Sequence, residues 1–167
     1  MKDSTPRPET PRKKGSAARV RTFLAEHDIA EDIVEFGHST KTAQMAADAM
    51  GCELGQIVKS LVFVAGGTPV LALVAGDRRG DGAAIAAFVG ADEAHFADAG
   101  TVREATGYAI GGVSPFALPA GLTVLADDSL ERFDIVYPAA GTPSSMVRMR
   151  LAQLLKVTGA RVARISQ

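Results

Sequence analysis

A lysine interrupts the most apolar part of the sequence, residues 56–64. If this stretch is extended, Lys59 shares a face with Ile57 and Leu61, because alternate side chains of a strand point the same way. A charge on an otherwise apolar face must line a cleft or find a partner. The alternative is that the strand begins only after Lys59, which leaves the ammonium in solvent with its stem packed on apolar neighbours.

A glycine-rich segment, Thr106–Phe116, has the composition of a loop that contacts a ligand through its backbone. Glycines at 107, 111 and 112 permit positive φ and close approach, and Pro115 stiffens the segment. Its amide groups can donate to a carbonyl or an oxyanion without a catalytic side chain. Taken alone, the segment is also typical of an ordinary turn. Ser114 has no base at motif spacing, so we expect a structural role for it.

Together the two segments resemble the YbaK and prolyl-tRNA synthetase editing-domain family, the free-standing and inserted deacylases of misacylated tRNA. The resemblance covers about residues 17–165. The motifs that carry it, in order, are Gly55–Phe63, Thr106–Tyr108 running into Gly111–Pro115, Ala140–Pro143 and Leu154–Ala160. It implies an α+β fold, with a single domain in which helices flank a mixed central sheet.

The resemblance also implies trans-editing hydrolysis of the ester of a mischarged aminoacyl-tRNA, with Cys- or Ala-tRNA(Pro) as the leading substrates. Such an ester is already activated, so a positioned water and backbone stabilisation of the oxyanion can suffice. Lys59 would contact the terminal adenosine or its phosphate, and the loop would contact the aminoacyl carbonyl. The implied partners are the tRNA acceptor end with its aminoacyl-adenosine and, as a candidate, prolyl-tRNA synthetase. The predicted catalytic residues are Lys59, Gly111, Gly112, Val113, Ser114 and Pro115.

A pocket for the amino acid must select by size, because binding alone discriminates small side chains poorly. His38 can face a cleft, although a turn histidine bonded to backbone is the alternative. For the apolar candidates the alternative is core packing, and Met146 is a further candidate wall. The predicted substrate-binding residues are His38, Thr42, Phe36, Met45, Phe116, Gly141, Thr142 and Pro143.

The composition indicates one domain, because 167 residues with 47% hydrophobic content are enough for a core. Apolar runs fall far short of the roughly 20 residues that span a bilayer, and a signal-peptide stretch is not seen. We therefore expect a cytoplasmic protein without membrane contact. The single cysteine, Cys52, excludes an internal disulfide and a cysteine-based zinc cluster, and we predict neither metal nor cofactor. Motifs for nucleotide hydrolysis, redox chemistry or metalloproteases are missing.

Charge is distributed unevenly. Residues 1–21 hold seven basic and two acidic residues, a balance of +5, whereas the remainder holds eleven and seventeen, a balance of −6. We interpret residues 1–15 as a disordered basic tail and 16–167 as the editing domain. An acidic body argues against a broad nucleic-acid face, so RNA contacts should be local. The candidates are the tail, Lys59, Arg148, Arg150, Lys156, Arg161 and Arg164.

Periodicity and turn signals predict hairpins mixed with crossover connections, hence a mixed sheet. Ser16 is the predicted cap of the first helix, Thr40 or Thr42 that of the second, and a capping box at Thr101–Glu104 opens a helix that ends at Gly107. The predicted helices are 16–28, 43–50, a turn at 53–58, 81–89, 101–107 and 151–158. The predicted strands are 33–36, 60–65, 70–75, 122–126, 133–137, 145–149 and 160–165.

Two alternatives to an editing deacylase stay open at this point. The chain could be a non-catalytic module that binds an aminoacyl-tRNA end or a nucleotide, since a fold does not guarantee activity. It could also hydrolyse small activated esters with the same loop and without RNA. The sequence leaves the oligomeric state open.

Overall fold

The computed structural model describes residues 15–29, 33–37 and 42–167, so residues 1–14 of the predicted tail lie outside the described residues. The helices are α1 (Ser16–Glu26), α2 (Ala43–Met50), α3 (Gly82–Val89), α4 (Ala99–Thr106) and α5 (Leu151–Thr158). The strands are β1 (Ile33–Glu35), β2 (Ile57–Ala65), β3 (Thr68–Ala75), β4 (Ala94–Phe96), β5 (Thr123–Asp127), β6 (Ile135–Pro138), β7 (Ser145–Val147), β8 (Met149–Arg150) and β9 (Arg161–Ala163). Short 3₁₀ helices occupy Leu54–Gln56 and Asp128–Arg132.

The main sheet has the strand order β8-β6-β2-β3-β5-β9, with β4 added to the edge of β2 that also pairs with β6. Pairs β2–β6, β3–β5 and β5–β9 are parallel, whereas β2–β3, β2–β4 and β6–β8 are antiparallel. Strands β1 and β7 form a separate two-stranded sheet. The predicted α+β fold with a mixed sheet is therefore confirmed.

The hairpin of β2 and β3 is the centre of the sheet. Gly66 and Gly67 form its two-residue turn, both with positive φ, as the type I′ geometry requires. Strand β2 begins at Ile57, because Ile57 and Val58 pair with β6. Lys59 is thus the third residue of the strand and lies opposite Val74. The alternative in which the strand starts after Lys59 is wrong.

Each face of the sheet carries its own core. Val58 and Val62 of β2 belong to a cluster that includes Leu24 of α1, Val102 of α4 and Leu154 of α5. On the opposite face, Phe63 and Ala65 pack in a cluster with Ile85 of α3. Lys59 and Phe63 are four residues apart in the strand, so their side chains share a face. Lys59 therefore lies on the α3 face, the shared face that its spacing predicted.

One edge of β2 is interrupted in its middle. Strand β6 pairs only with residues 57–58, and β4 pairs only with residues 63–65, which leaves residues 59–62 without a neighbouring strand on that edge. In the two-residue hairpin the odd-numbered residues of β2 exchange hydrogen bonds with β3, so the N–H and C=O of Ser60 point to the open edge. The carbonyl of Val62 accepts from Ala97 N at 3.0 Å. We call this stretch without a neighbouring strand, residues 59–62, the gap in β2.

Two helix starts differ from prediction. Gly15, not Ser16, is the N-cap of α1. The N-cap of α4 is Asp98, three residues before the predicted Thr101, and its carboxylate accepts from Thr101 N at 2.8 Å. Asp is a strong N-cap, so it takes the position that the capping box had given to Thr101. Thr42 does cap α2, accepting from Met45 N at 3.1 Å, whereas the alternative Thr40 lies outside the described residues. Strand β4 was not predicted.

Candidate active site

A cavity of about 320 Å³ opens at the gap in β2. Its walls come from β2, the first turn of α2, β4 with the start of α4, the glycine-rich loop and residues 139–146. The volume is within the range of small-ligand sites, which are mostly apolar with a few placed polar groups. Lys59 is the one charged side chain among the described residues that line it.

Lys59 reaches its position from the middle of β2, and its Nζ donates to the carbonyl oxygen of Arg78. Burial lowers the pKa of Lys59 below its ordinary value, the carboxylate of Asp77 acts to raise it, and Arg79 adds to the lowering. An ammonium has three N–H donors, so one hydrogen bond to Arg78 leaves two for a ligand. The half-buried ammonium belongs to a residue that lines the cavity, and it keeps two donors for a ligand.

The segment that holds Lys59, residues 76–80, is itself fixed. Arg132 donates to both oxygens of Asp77, at 2.7 and 2.8 Å, and these hydrogen bonds lower the pKa of Asp77. Gly76 donates to the carbonyl of Ile57 at 2.8 Å, and a Cβ at Gly76 would collide with the carbonyl oxygen of Leu54. The carbonyl of Arg78 therefore has little freedom, which fixes the ammonium of Lys59.

Hydrogen bonds from the side chains of Tyr108 and Arg19 hold the glycine-rich loop in place. The buried Tyr108 donates its hydroxyl hydrogen to the carbonyl of Phe116, which ties the two ends of the loop together. Arg19 of α1 donates to the carbonyls of Gly107 and Ala117 at 3.1 and 2.9 Å, and its guanidinium lies 4.7 Å from the centroid of the Tyr108 ring. The loop is preorganised before any ligand binds.

The backbone N–H groups of this loop differ in whether they already donate a hydrogen bond within the protein. Gly112 N donates to the carbonyl of Ala109 at 3.0 Å, and Pro115 has no N–H to offer. Ser114 Oγ accepts from Phe116 N at 3.4 Å, which is the structural role that the sequence indicated. Gly111 and Val113 line the cavity, and neither donates a backbone hydrogen bond to another part of the described chain. Two amides of the loop are thus available to a ligand.

The structure brings together six residues of the predicted catalytic and substrate-binding sets. The residues that line the cavity are Lys59, Gly111, Val113, Thr42, Thr142 and Pro143, together with the candidate wall Met146. Gly112 lies just behind them, where a Cβ would meet the Pro143 ring at 3.4 Å.

Other predicted residues lie away from the cavity. Phe116 is in the core of the α1 face, where its ring is 5.8 Å from that of Phe23. Gly141 is buried against the carbonyl of Ser16, and Met45 points outward from α2. The further residues that do not line it are Phe36, Ser114 and Pro115, and His38 lies outside the described residues.

Of the lining residues outside the predicted sets, Ser60, Phe96 and Ile110 have side chains suited to contact a ligand. Ser60 follows Lys59 in β2, so alternation places it on the opposite face of the strand, yet both residues line the cavity at the gap in β2. Its hydroxyl is the one buried side-chain oxygen of the described residues that has no hydrogen-bond partner. Phe96 and Ile110 line the cavity as exposed apolar side chains, and Phe96 could not be found because β4 was not predicted. Adjacency to Lys59 was the one available signal for Ser60.

Within residues 15–29, 33–37 and 42–167, no group of three His, Cys, Asp or Glu side chains could hold a metal ion. Cys52 is half-buried, and burial raises the pKa of its thiol, which disfavours a thiolate nucleophile. No helix in the same part of the chain is both long enough and apolar enough to cross a bilayer. Among the described residues, the polar side chains that line the cavity are those of Lys59 and the hydroxyl residues Thr42, Ser60, Thr142 and Ser145.

Comparison with known proteins identifies the family of this chain. Residues 38–157 match the family model of the aminoacyl-tRNA editing domain. The protein YwhH of Bacillus subtilis is 34% identical over 148 residues, covering 88% of this chain and 94% of its own. The multifunctional Ser/Thr-tRNA deacylase ProXp-y of Escherichia coli K12 is 30% identical over 150 residues, covering 86% and 90%. A solved structure described as a candidate trans-editing enzyme for prolyl tRNA synthetase superposes with a TM-score of 0.85 at 40% identity, covering 91% and 97%. The chain therefore belongs to the aminoacyl-tRNA editing domain family, a family of aminoacyl-tRNA deacylases.

Proposed function

We propose that this protein hydrolyses the ester bond of mischarged aminoacyl-tRNA in trans. The observation that carries the proposal is the cavity itself, in which Lys59 is the one charged lining residue and the loop amides of Gly111 and Val113 are available. A cationic lining residue suits the terminal nucleotide of a tRNA, and unpaired backbone amides suit the carbonyl of an ester.

In this mechanism Lys59 uses its two remaining donors to hold the phosphate or the ribose of the terminal adenosine. The aminoacyl carbonyl then lies against Gly111 and Val113, whose N–H groups stabilise the oxyanion that forms when water attacks. Gly112 acts indirectly, since its N–H maintains the turn to Ala109. Positioning and oxyanion stabilisation supply the rate, and a covalent nucleophile is not required.

The walls favour a small amino acid. Ala43, Ala46 and Ala139 line the cavity and leave space only by their small size, and Met146 closes one side. Ala-tRNA(Pro) and Cys-tRNA(Pro), the substrates that the family resemblance implies, carry small amino acids and are the first candidates. Seryl and threonyl esters, which the E. coli relative is named for, are the second, and the hydroxyls of Ser60 and Thr142 favour them.

The test is hydrolysis of a panel of mischarged tRNAs that includes Ala-, Cys-, Ser- and Thr-tRNA. We expect wild-type protein to release one of these amino acids. Lys59→Ala should lower kcat/KM for it by about 10- to 150-fold, which corresponds to the 1.5 to 3 kcal/mol that a hydrogen bond to a charged group contributes. Arg103→Ala is the control, because that cation is exposed on α4, does not line the cavity and is not among the candidate RNA contacts.

The salt dependence of KM distinguishes a tRNA deacylase from a hydrolase of small esters. Phosphate contacts release counterions, so KM for a tRNA substrate should rise with salt, whereas hydrolysis of a small ester should change little. Binding of tRNA without turnover of any ester would make the protein a binding module and would refute the proposed activity. Prolyl-tRNA synthetase is the partner we propose for delivery of substrate, and we place the reaction in the cytoplasm, where tRNA is charged.

A further inference from the structure

Phe96 is the large apolar side chain with the most exposure among the described residues, at 63%, and it lines the cavity. Its position is rigid because β4 pairs with β2, which places Phe96 opposite Phe63. The two rings stack with centroids 4.4 Å apart and planes 29° apart, and Phe63 is buried. One side of Phe96 is thus supported by the core.

The outer side of this ring differs from that of the other exposed phenylalanine. Phe88 on α3 is 43% exposed, but the guanidinium of Arg161 covers it at 5.2 Å from the ring centroid. Within the described parts of the chain, Phe63 is the one aromatic or cationic group that stacks on Phe96. An aromatic face supported on one side and open to a cavity on the other can accept a flat ligand.

The surroundings of Phe96 narrow the kind of ligand. Phe63 pairs with Phe96 and lies on the same face of β2 as Lys59, four residues away, or roughly 13 Å along the strand. An aromatic platform and an ammonium separated by this span suit a base at one end and a phosphate or ribose at the other. The described lining residues include no carboxylate that would repel a phosphate.

We propose that Phe96 stacks on the base of the 3′-terminal nucleotide of the tRNA while Lys59 holds that nucleotide at its phosphate or ribose. Ile110, which is 61% exposed in the same cavity, adds an apolar contact to the base. The inference rests on the proposed function, and it assigns the cavity to the nucleotide as well as to the amino acid. Stacking tolerates any base, so it supplies affinity and orientation rather than selection of one tRNA.

The test measures binding of two minihelix RNAs by fluorescence anisotropy. One ends in CCA, and the other carries an abasic ribose in place of the terminal adenosine. The variants are Phe96→Leu, which keeps an apolar side chain without a ring, and Phe96→Tyr, which keeps the ring. Phe88→Leu is the matched control, and thermal melting verifies that each variant is folded.

Phe96→Leu should weaken binding of the CCA-ended RNA by about 5- to 150-fold, the range for loss of one base–aromatic contact. It should change binding of the abasic RNA little, and Phe96→Tyr and Phe88→Leu should bind both RNAs as wild type does. Equal losses on both RNAs, or none, would overturn the stacking role even if wild type hydrolyses a mischarged tRNA. A change of oligomeric state in Phe96→Leu with unchanged RNA binding would assign the ring to a protein interface instead. If wild-type protein binds neither RNA and also hydrolyses no mischarged tRNA, both proposals are overturned.

Discussion

Asp127 ends β5 and anchors the last residues of the chain to the sheet. Its buried carboxylate accepts from Ile165 N at 2.9 Å, Ser166 Oγ at 2.8 Å, and both the N–H and the hydroxyl of Ser129. Burial opposes ionisation, but these donors outweigh it and leave the pKa of Asp127 below its ordinary value. We therefore expect Asp127→Asn to destabilise the protein, because an amide turns two donor hydrogens toward groups that also donate.

The size of the effect follows from the number of donors. A hydrogen bond to a charged group contributes about 1.5 to 3 kcal/mol, and Asn loses at least the bond from Ile165 or those from the two serines. We expect the free energy of unfolding at pH 7 to fall by about 3 kcal/mol, which lowers Tm by roughly 6 to 12 °C for a chain of this length. Asp128→Asn is the matched control, since the neighbouring carboxylate is exposed.

The pH dependence has a definite sign. A carboxylate whose pKa is lower in the folded state stabilises the protein above its unfolded pKa of about 3.9, and this contribution is lost as pH falls through the folded value. The difference between wild type and Asp127→Asn in urea denaturation should therefore be largest at pH 7 and shrink below about pH 5. A difference that is the same at pH 7 and pH 3.5, or that grows on acidification, would refute the assigned role.

Three further substitutions test two residues that line the cavity and one in the segment that holds Lys59. Ser60→Ala removes an unpaired buried hydroxyl, so it should raise the free energy of unfolding by up to about 1 kcal/mol in urea denaturation. Ser145→Ala, which breaks a bond to Thr142 at 2.7 Å, should lower it, and a loss of stability in both would contradict the structure. Gly76→Ala should cost about 2 kcal/mol and reduce deacylation, because the new Cβ displaces the segment that holds Lys59; unchanged melting and activity would count against that role.

Much of the fold was predictable because local signals agree with tertiary structure. The hairpin of β2 and β3 has glycines where its turn needs positive φ, and α5 matches the predicted residues 151–158. Gly51 ends α2 and Gly107 ends α4, both in the left-handed conformation. Such elements are specified by a few neighbouring residues.

The missed features depend on contacts between distant residues. Strand β4 has three residues and exists because β2 offers an unpaired edge, which no local pattern reveals. The starting point of β2 was placed too late because its first two residues are extended by pairing with β6, 80 positions later in the chain. Alternation correctly gave the face of Lys59, but it could not show that a gap beside the strand exposes Ser60 to the same cavity.

The interrupted edge of β2 constrains how relatives of this protein can diverge. Side chains at the gap line the cavity, whereas their immediate neighbours Val58 and Phe63 pack in the two cores. A substitution on this strand therefore alters both folding and ligand preference. Strand β4 and the glycine-rich loop contribute to the same cavity from outside the central hairpin. New specificities should therefore arise mainly by substitution in those two peripheral segments, where natural selection can vary the ligand at less risk to the fold.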